Sequence, residues 1–175
     1  MNKLQQLIQS DEHRMAALRA VAELNLPDCF IAAGFVRNMV WDYFHGYQHT
    51  PLNDVDVIYF DEADDLNPKC IVEQLQQALP EVDWEVKNQA IMHRRNGDNP
   101  YSSSTDAMTY WPEKETAVGV RLSLEGIIDI SAPFGLETLF SGFITYNPKR
   151  SKSVFIERVQ SKEWVMNWPR LKVVS

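Results

Sequence analysis

Cysteine is scarce in this chain: two in 175 residues, Cys29 and Cys70, with no CxxC spacing and no third or fourth partner. A disulfide framework and a thiolate zinc site are therefore both excluded, and the two read as reduced core thiols. Long apolar runs are missing too. The longest, residues 29–34 and 55–60, fall far short of the ~20 residues that a membrane span needs, so no membrane partner is expected. The start, Met1-Asn2-Lys3-Leu4-Gln5-Gln6, lacks the basic opening and apolar core of a secretory leader, which makes a cytoplasmic location the expectation. With seven glycines, nine prolines and no repeat, the chain is neither collagenous, disordered nor a solenoid. An excess of positive charge is absent as well: the net charge is −7, which argues against generic duplex binding.

What remains is 20.2 kDa with 45 % apolar residues, which suits one compact domain over residues 1–175 and a single active site. The charge is unevenly spread. Residues 149–175 carry seven basic side chains against two acidic ones, net +5, while the rest of the chain is −12. This tail is the only candidate electrostatic footprint for a polyanion such as nucleic acid, although a solvated helix face is the plainer reading.

The elements follow from periodicity. Leu4, Leu7 and Ile8, then Met15, Leu18, Val21 and Leu24, recur at helical spacing, so the chain opens with helices. Residues 29–33 form a short buried strand ending at Gly34, and Val36, Met39, Val40, Tyr43 and Phe44 make a helical stripe running to Gly46. Residues 55–60 read as a second strand, the stretch between Pro68 and Pro80 as a helix, and 84–87 as a third strand. The polar segment 94–106 is expected to be a mobile loop. Residues 117–122 and 127–130 make a hairpin; a short helix through Leu136 and Phe140 follows, and a last helix at about 151–164 carries the basic tail. The predicted architecture is α/β (α+β): a small mixed sheet flanked by helices, with a core over 27–147 and a basic C-terminal helix over 149–164.

Asp54-Val55-Asp56-Val57 is the informative tetrad. On a strand, side chains at i and i+2 share a face, so both carboxylates point into the same space. The plainer reading is a solvated strand face, but this face turns apolar at Ile58 and Phe60, making it acidic at one end and buried at the other. Two adjacent carboxylates oppose each other's ionisation unless a cation compensates them. Oxygen donors with no His or Cys nearby select Mg²⁺ or Mn²⁺, and His13, His45 and His49 show no ligand spacing. The chemistry implied is phosphoryl or nucleotidyl transfer. Upstream, Gly34 stands where a strand meets a helix, a junction at which backbone N–H groups and the helix dipole can approach an anion.

With these residues in place, the sequence resembles the DNA polymerase beta type nucleotidyltransferase superfamily, and more closely an uncharacterised bacterial family of nucleotidyltransferases. The matching blocks are residues 33–42, 53–61, 84–90 with Met92-His93, 117–121 and 132–136. The resemblance implies an enzyme that transfers a nucleoside monophosphate from a nucleoside triphosphate to an unidentified acceptor through a two-metal carboxylate site. Asp54, Asp56 and a third acid would be catalytic and would bind the metal. Gly34, Phe35, Arg37, Asn38 and Lys87 would bind the nucleotide. Gly34-Phe35 departs from the usual Gly-Gly or Gly-Ser, and Arg37 and Asn38 are positioned to supply the missing donors. The third acid is Glu85 or Asp129, strand order favouring Glu85. Asn88, Gln89 and His93 are candidates for the base or acceptor. The alternative is a catalytically inactive nucleotide-binding or interaction module of the same fold, and nucleic acid as acceptor rests on the basic tail alone.

Overall fold

The computed structural model describes residues 2–48, 50–52 and 54–175. His49, and Asn53 at the head of a matching block, lie outside them.

Two N-terminal helices are fixed by their caps. The Asn2 side chain and Gln5 form a reciprocal capping box on α1 (Lys3–Gln9), and Asp11 caps α2 (Glu12–Glu23). Asp11 also pairs with the buried guanidinium of Arg14, whose Nε donates to the Phe35 carbonyl at 2.9 Å. That bond fastens α2 to the start of α3 (Gly34–His45). Short strand β1 (Phe30–Ala32) leads into α3 through Ala33 at φ 54°, a left-handed turn that an alanine adopts only under constraint.

The central sheet continues with β2 (Asp54–Tyr59), α4 (Pro68–Ala78), β3 (Asp83–Asn88), α5 (Gln89–Asn96) and α6 (Ser104–Met108). It closes with the hairpin β4 (Gly119–Leu122) and β5 (Ile128–Ser131). Strand order is β3-β2-β1-β4-β5; β2 and β3 are parallel, joined by α4, and the other pairs are antiparallel. The predicted mixed sheet flanked by helices is therefore the observed fold. On one sheet face Ile31, Val55, Val57, Trp84 and Val120 are buried in the main core with residues of α1 to α4. On the other, Phe30, Ala32 and Ile58 form a smaller core with Met108 and Ala117. That second layer covers only part of the face, leaving the Asp54–Asp56 end of β2 open.

The chain finishes with α7 (Glu137–Phe140), β6 (Phe143–Thr145), α8 (Lys152–Ser161), α9 (Trp164–Asn167) and β7 (Lys172–Val174). Trp164 and Trp168 pack edge-on against Trp41 of α3, at 5.7 and 5.3 Å between ring centroids. Asp42 accepts from Trp168 Nε1 at 2.8 Å, from the Thr50 backbone N–H at 2.7 Å, and from the Thr50 hydroxyl. One buried carboxylate thus ties α3, the segment entering β2, and the C-terminal helices together. No helix among the described residues is long and apolar enough to cross a membrane.

Three expectations need correction, and one strand pair went unread. Segment 94–106 is not a continuous loop: α5 runs to Asn96, and α6 starts at Ser104, capped by the Ser103 side chain. The connection between them is held by Arg150, which grips Asp98 through two bonds of 2.7 and 2.6 Å. The apolar residues of α5 are consecutive, Ala90-Ile91-Met92, so no helical period showed. The C-terminal helix breaks at Glu163, where φ is 52°, into α8 and α9. The parallel pair β6–β7 joins segments about 29 residues apart, beyond any local pattern. Finally, Cys29 is buried but Cys70 is exposed, because the apolar stripe of α4 is Ile71 and Leu75.

Replacing Asp42 with Ala orphans the donors it collects, at a cost of about 2–3 kcal/mol, and should lower Tm by about 5–10 °C in a chain this size. An unchanged melting curve would show that water replaces the carboxylate without loss.

Candidate functional site

Parallel pairing of β2 with β3 sets Asp54 opposite Asp83, Asp56 opposite Glu85 and Ile58 opposite Lys87. All six side chains fall on the sheet face that the second core leaves partly open. Asp56 and Glu85 share a hydrogen bond, and the Lys87 ammonium stands 2.9 Å from Glu85 Oε2 and 3.7 Å from Asp56 Oδ1. Burial, followed by the bond to Glu85, raises the pKa of Asp56 above the ordinary carboxylate range. The bond to Lys87 holds that of the more exposed Glu85 below it. Asp54 lies one pleat away at the exposed start of β2.

Asp129 is not brought here. It lies on β5, three strands from β2 and about 14 Å away by strand spacing, where it pairs with Arg121 at 3.2 Å on an exposed edge. Of the two candidate third acids, Glu85 is the one that adjoins Asp56.

These carboxylates line a cleft of about 670 Å³ that also takes in Gly34, Phe35, Arg37, Asn38 and Lys87. At its α3 end the first intrahelical bonds are made by Val36 and Arg37 to the Ala33 carbonyl, so the N–H groups of Gly34 and Phe35 precede the ladder and are available to an anion. A Cβ built on Gly34 would come within 3.5 Å of both Arg37 Nη2 and the Asn38 amide, filling the space where such an anion would lie. The Phe35 ring is buried in the main core with the Arg14 guanidinium 5.5 Å from its centroid. Phe35 thus contributes backbone to the cleft, and the bulk that departs from the usual small residue is turned away.

Arg37 is buried between the rings of Trp41 and Trp164, at 5.0 and 4.5 Å. Its Nη1 donates to Thr116 Oγ1 at 2.8 Å, and Nε and Nη2 donate to Asn38 Oδ1. Burial lowers its pKa to about 10, opposed by the charge of Glu113, so it stays cationic at neutral pH.

The wall facing the carboxylates is one that periodicity did not reveal. Arg158, Lys162, Trp164 and Trp168 of the C-terminal segment line the same cleft. Arg158 is held by the fully buried Glu113 through its Nε at 2.7 Å, and the charge of Lys162 acts on Glu85. The uneven charge distribution was the available signal. It read as a solvated helix face or, less plainly, a polyanion footprint, whereas Arg150 and Arg158 are bound to acids and Arg170 to the Phe44 carbonyl. Of the other candidates, Asn88 spends its side chain on Asp61, Asp64 and Ala90, and His93 Nδ1 sits 2.8 Å from the Ala90 carbonyl.

As donors for a cation, Asp56 and Glu85 fit a hard divalent ion: oxygen ligands only, two carboxylates opposing each other's charge, and an ammonium already drawn between them. Among the described residues no three His, Cys, Asp or Glu side chains converge into a ready metal cluster.

Comparison with known proteins gives consistent results. A family model described as Nucleotidyltransferase matches residues 19–173. A solved NMR structure described as revealing a CCA-adding enzyme head domain superposes with a TM-score of 0.86 at 30 % identity, over 98 % of this chain and 95 % of that one. A CCA-adding enzyme in complex with CTP matches at TM-score 0.61 and 12 % identity, over 99 % of this chain and 44 % of its own. A Thermotoga maritima CCA-adding enzyme complexed with tRNA matches at 0.63 and 14 %, over 99 % and 43 %. This chain spans less than half the length of those two enzymes. No curated protein matches it in sequence.

The Asp56–Glu85 contact has a measurable cost. A carboxyl whose pKa is raised by folding destabilises the fold above its titration range, and the penalty vanishes as pH falls below the ordinary carboxylate range. Asp56→Asn should therefore raise Tm at pH 7–8, with the gain shrinking through the acid range. A lower Tm at neutral pH would mean that attraction to Lys87 outweighs both burial and Glu85.

Proposed function

Because this chain belongs to the nucleotidyltransferase family, we propose that it transfers a nucleoside monophosphate from a nucleoside triphosphate to an acceptor nucleophile, using Asp54, Asp56 and Glu85 as its acidic site. The observation that carries this reading is the facing of opposite charges across one cleft. Asp56 and Glu85 stand on the sheet, with Arg37, Lys162 and the Gly34–Phe35 amides around them. The Gly34 turn followed by alternate aspartates on a strand supports the DNA polymerase beta type of site.

In this reading the triphosphate lies along the basic side, where the N-terminal amides of α3 and the Arg37 guanidinium hold its charged oxygens in place. Lys87, on the strand face beside Glu85, is drawn from the carboxylates towards phosphate as the nucleotide enters. Glu85, held ionised by its neighbours, aligns the acceptor and takes its proton. Asp54, Asp56 and Glu85 would hold Mg²⁺ or Mn²⁺, which, when bound, neutralises charge on the phosphates and activates the acceptor. Catalysis is then positioning and electrostatics, with the acceptor attacking the α-phosphorus and pyrophosphate leaving in line.

A second reading, a nucleotide-binding module without turnover, is favoured by one observation. Lys87 already neutralises Asp56 and Glu85 from 3.7 and 2.9 Å, which opposes the entry of a second cation. The acceptor is left open by both readings. With most of the tail's arginines bound internally, nucleic acid has less electrostatic support than the charge count suggests.

Titration of the protein with each nucleoside triphosphate, with Mg²⁺ and with chelator, tests the proposal. Binding should be metal-dependent and lost in the Asp54→Asn, Asp56→Asn double variant while the fold persists; no binding of any triphosphate would overturn it. Metal-dependent binding without pyrophosphate release for any acceptor would select the second reading. Arg37→Met should weaken nucleotide binding about 10- to 100-fold, the worth of a hydrogen bond to a charged group.

A further inference from the structure

One polar side chain in the cleft has no work in the fold. Gln89 is only 4 % exposed and lines the cleft, yet no hydrogen bond to its carboxamide is found among the described residues. Its neighbours differ. The Asn88 side chain is saturated by Asp61, Asp64 and Ala90, His93 is turned to the Ala90 carbonyl, and Asn96 Nδ2 donates to Tyr101 Oη at 3.2 Å. Among the described residues the buried polar side-chain atoms without a partner are Trp41 Nε1 and Tyr59 Oη; the Gln89 amide is not one of them, so it opens to the cleft, where a ligand can reach it.

Its position suggests the use. Gln89 opens α5 directly after the last residue of β3 and lines the same cleft as Glu85 and Lys87. There the cleft changes from acidic to apolar. Ile58 lies opposite Lys87, Met92 follows at i+3 on α5, and Trp111 closes the end, packed on the small second core. Apolar side chains beside a planar carboxamide, in the same cleft as the carboxylates, suit a nucleobase.

We propose that Gln89 is the base-reading residue of this site, and that it favours adenine. The inference rests on the nucleotide reading above. A carboxamide presents an N–H donor beside an oxygen acceptor, the pattern that pairs with the N6–H and N7 of adenine; guanine offers two acceptors on that edge, and the pyrimidines, one ring smaller, bury less area against the apolar side chains. The triphosphate then lies towards Arg37 and Lys162, with the base held between Ile58, Met92 and Trp111.

The test compares the affinities of ATP, GTP, CTP and UTP, with Mg²⁺, for the wild type, Gln89→Leu and Gln89→Glu. Leucine keeps the shape and removes both polar groups; glutamate keeps the shape and loses the donor. The wild type should prefer ATP, and either substitution should reduce that preference about tenfold or more, leaving the other triphosphates nearly unchanged. Gln89→Leu should melt close to the wild-type temperature, since the amide it removes bonds nothing in the protein. Wild-type binding with the same base preference in both variants overturns the proposal and leaves the nucleotide reading standing. So does a large drop in Tm with unchanged preference, which assigns the amide a structural role. A wild-type preference for another base that Gln89→Leu abolishes overturns the adenine assignment. Absence of binding to any triphosphate removes the nucleotide reading and this one with it.

Discussion

Two carboxylates facing each other across adjacent parallel strands are the constraint on which the rest of this structure depends. Asp56 and Glu85 repel, yet the register of β2 against β3 brings them into hydrogen-bonding contact. That register is itself fixed by the opposite face, where Val55, Val57, Trp84 and Val86 are buried in the main core. Slipping either strand by one residue would move those apolar side chains out and the acids in. Core packing therefore holds the like charges together, and the local response is an ammonium beside them and a raised pKa on the deeper carboxyl.

The remaining charge in the cleft answers this pair. Arg37 is buried where, among the described residues, no ion pair holds it directly, steadied by Thr116, Asn38 and two tryptophan rings. Stacking against aromatic faces tolerates a guanidinium better than an ammonium, because it is planar and weakly hydrated. The C-terminal segment provides one of those rings and most of the facing wall. It is docked on α3 through Trp41 and the Asp42–Trp168 bond. The shape of the cleft thus depends on contacts between parts of the chain more than 120 residues apart.

The acidic tetrad was legible because strand alternation is a local rule: Asp54 and Asp56 had to share a face wherever the strand lay. The glycine turn into α3 was legible for the same reason. Glu85 could be favoured over Asp129 by connection, since a strand–helix–strand unit usually brings its strands side by side. The direction of the Phe35 ring was not legible, because the rotation of α3 against the sheet decides it.

The sequence by itself determined the elements of the core, the mixed sheet, the carboxylate pair and the family, all properties carried by short-range periodicity or ordered blocks. Only the tertiary structure decided what surrounds the acids: the second wall from Arg158, Lys162 and Trp164, the convergence of Gln89, Met92 and Trp111 on the same cleft, and the β6–β7 pair. The basic tail reads as a free surface when its charges are counted. It becomes a cleft wall only once Glu113 and Asp98 have bound Arg158 and Arg150. Such pairings join residues 45 and 52 positions apart, and no local pattern records them, because the free energy that selects them belongs to burial and charge neutralisation in the assembled fold.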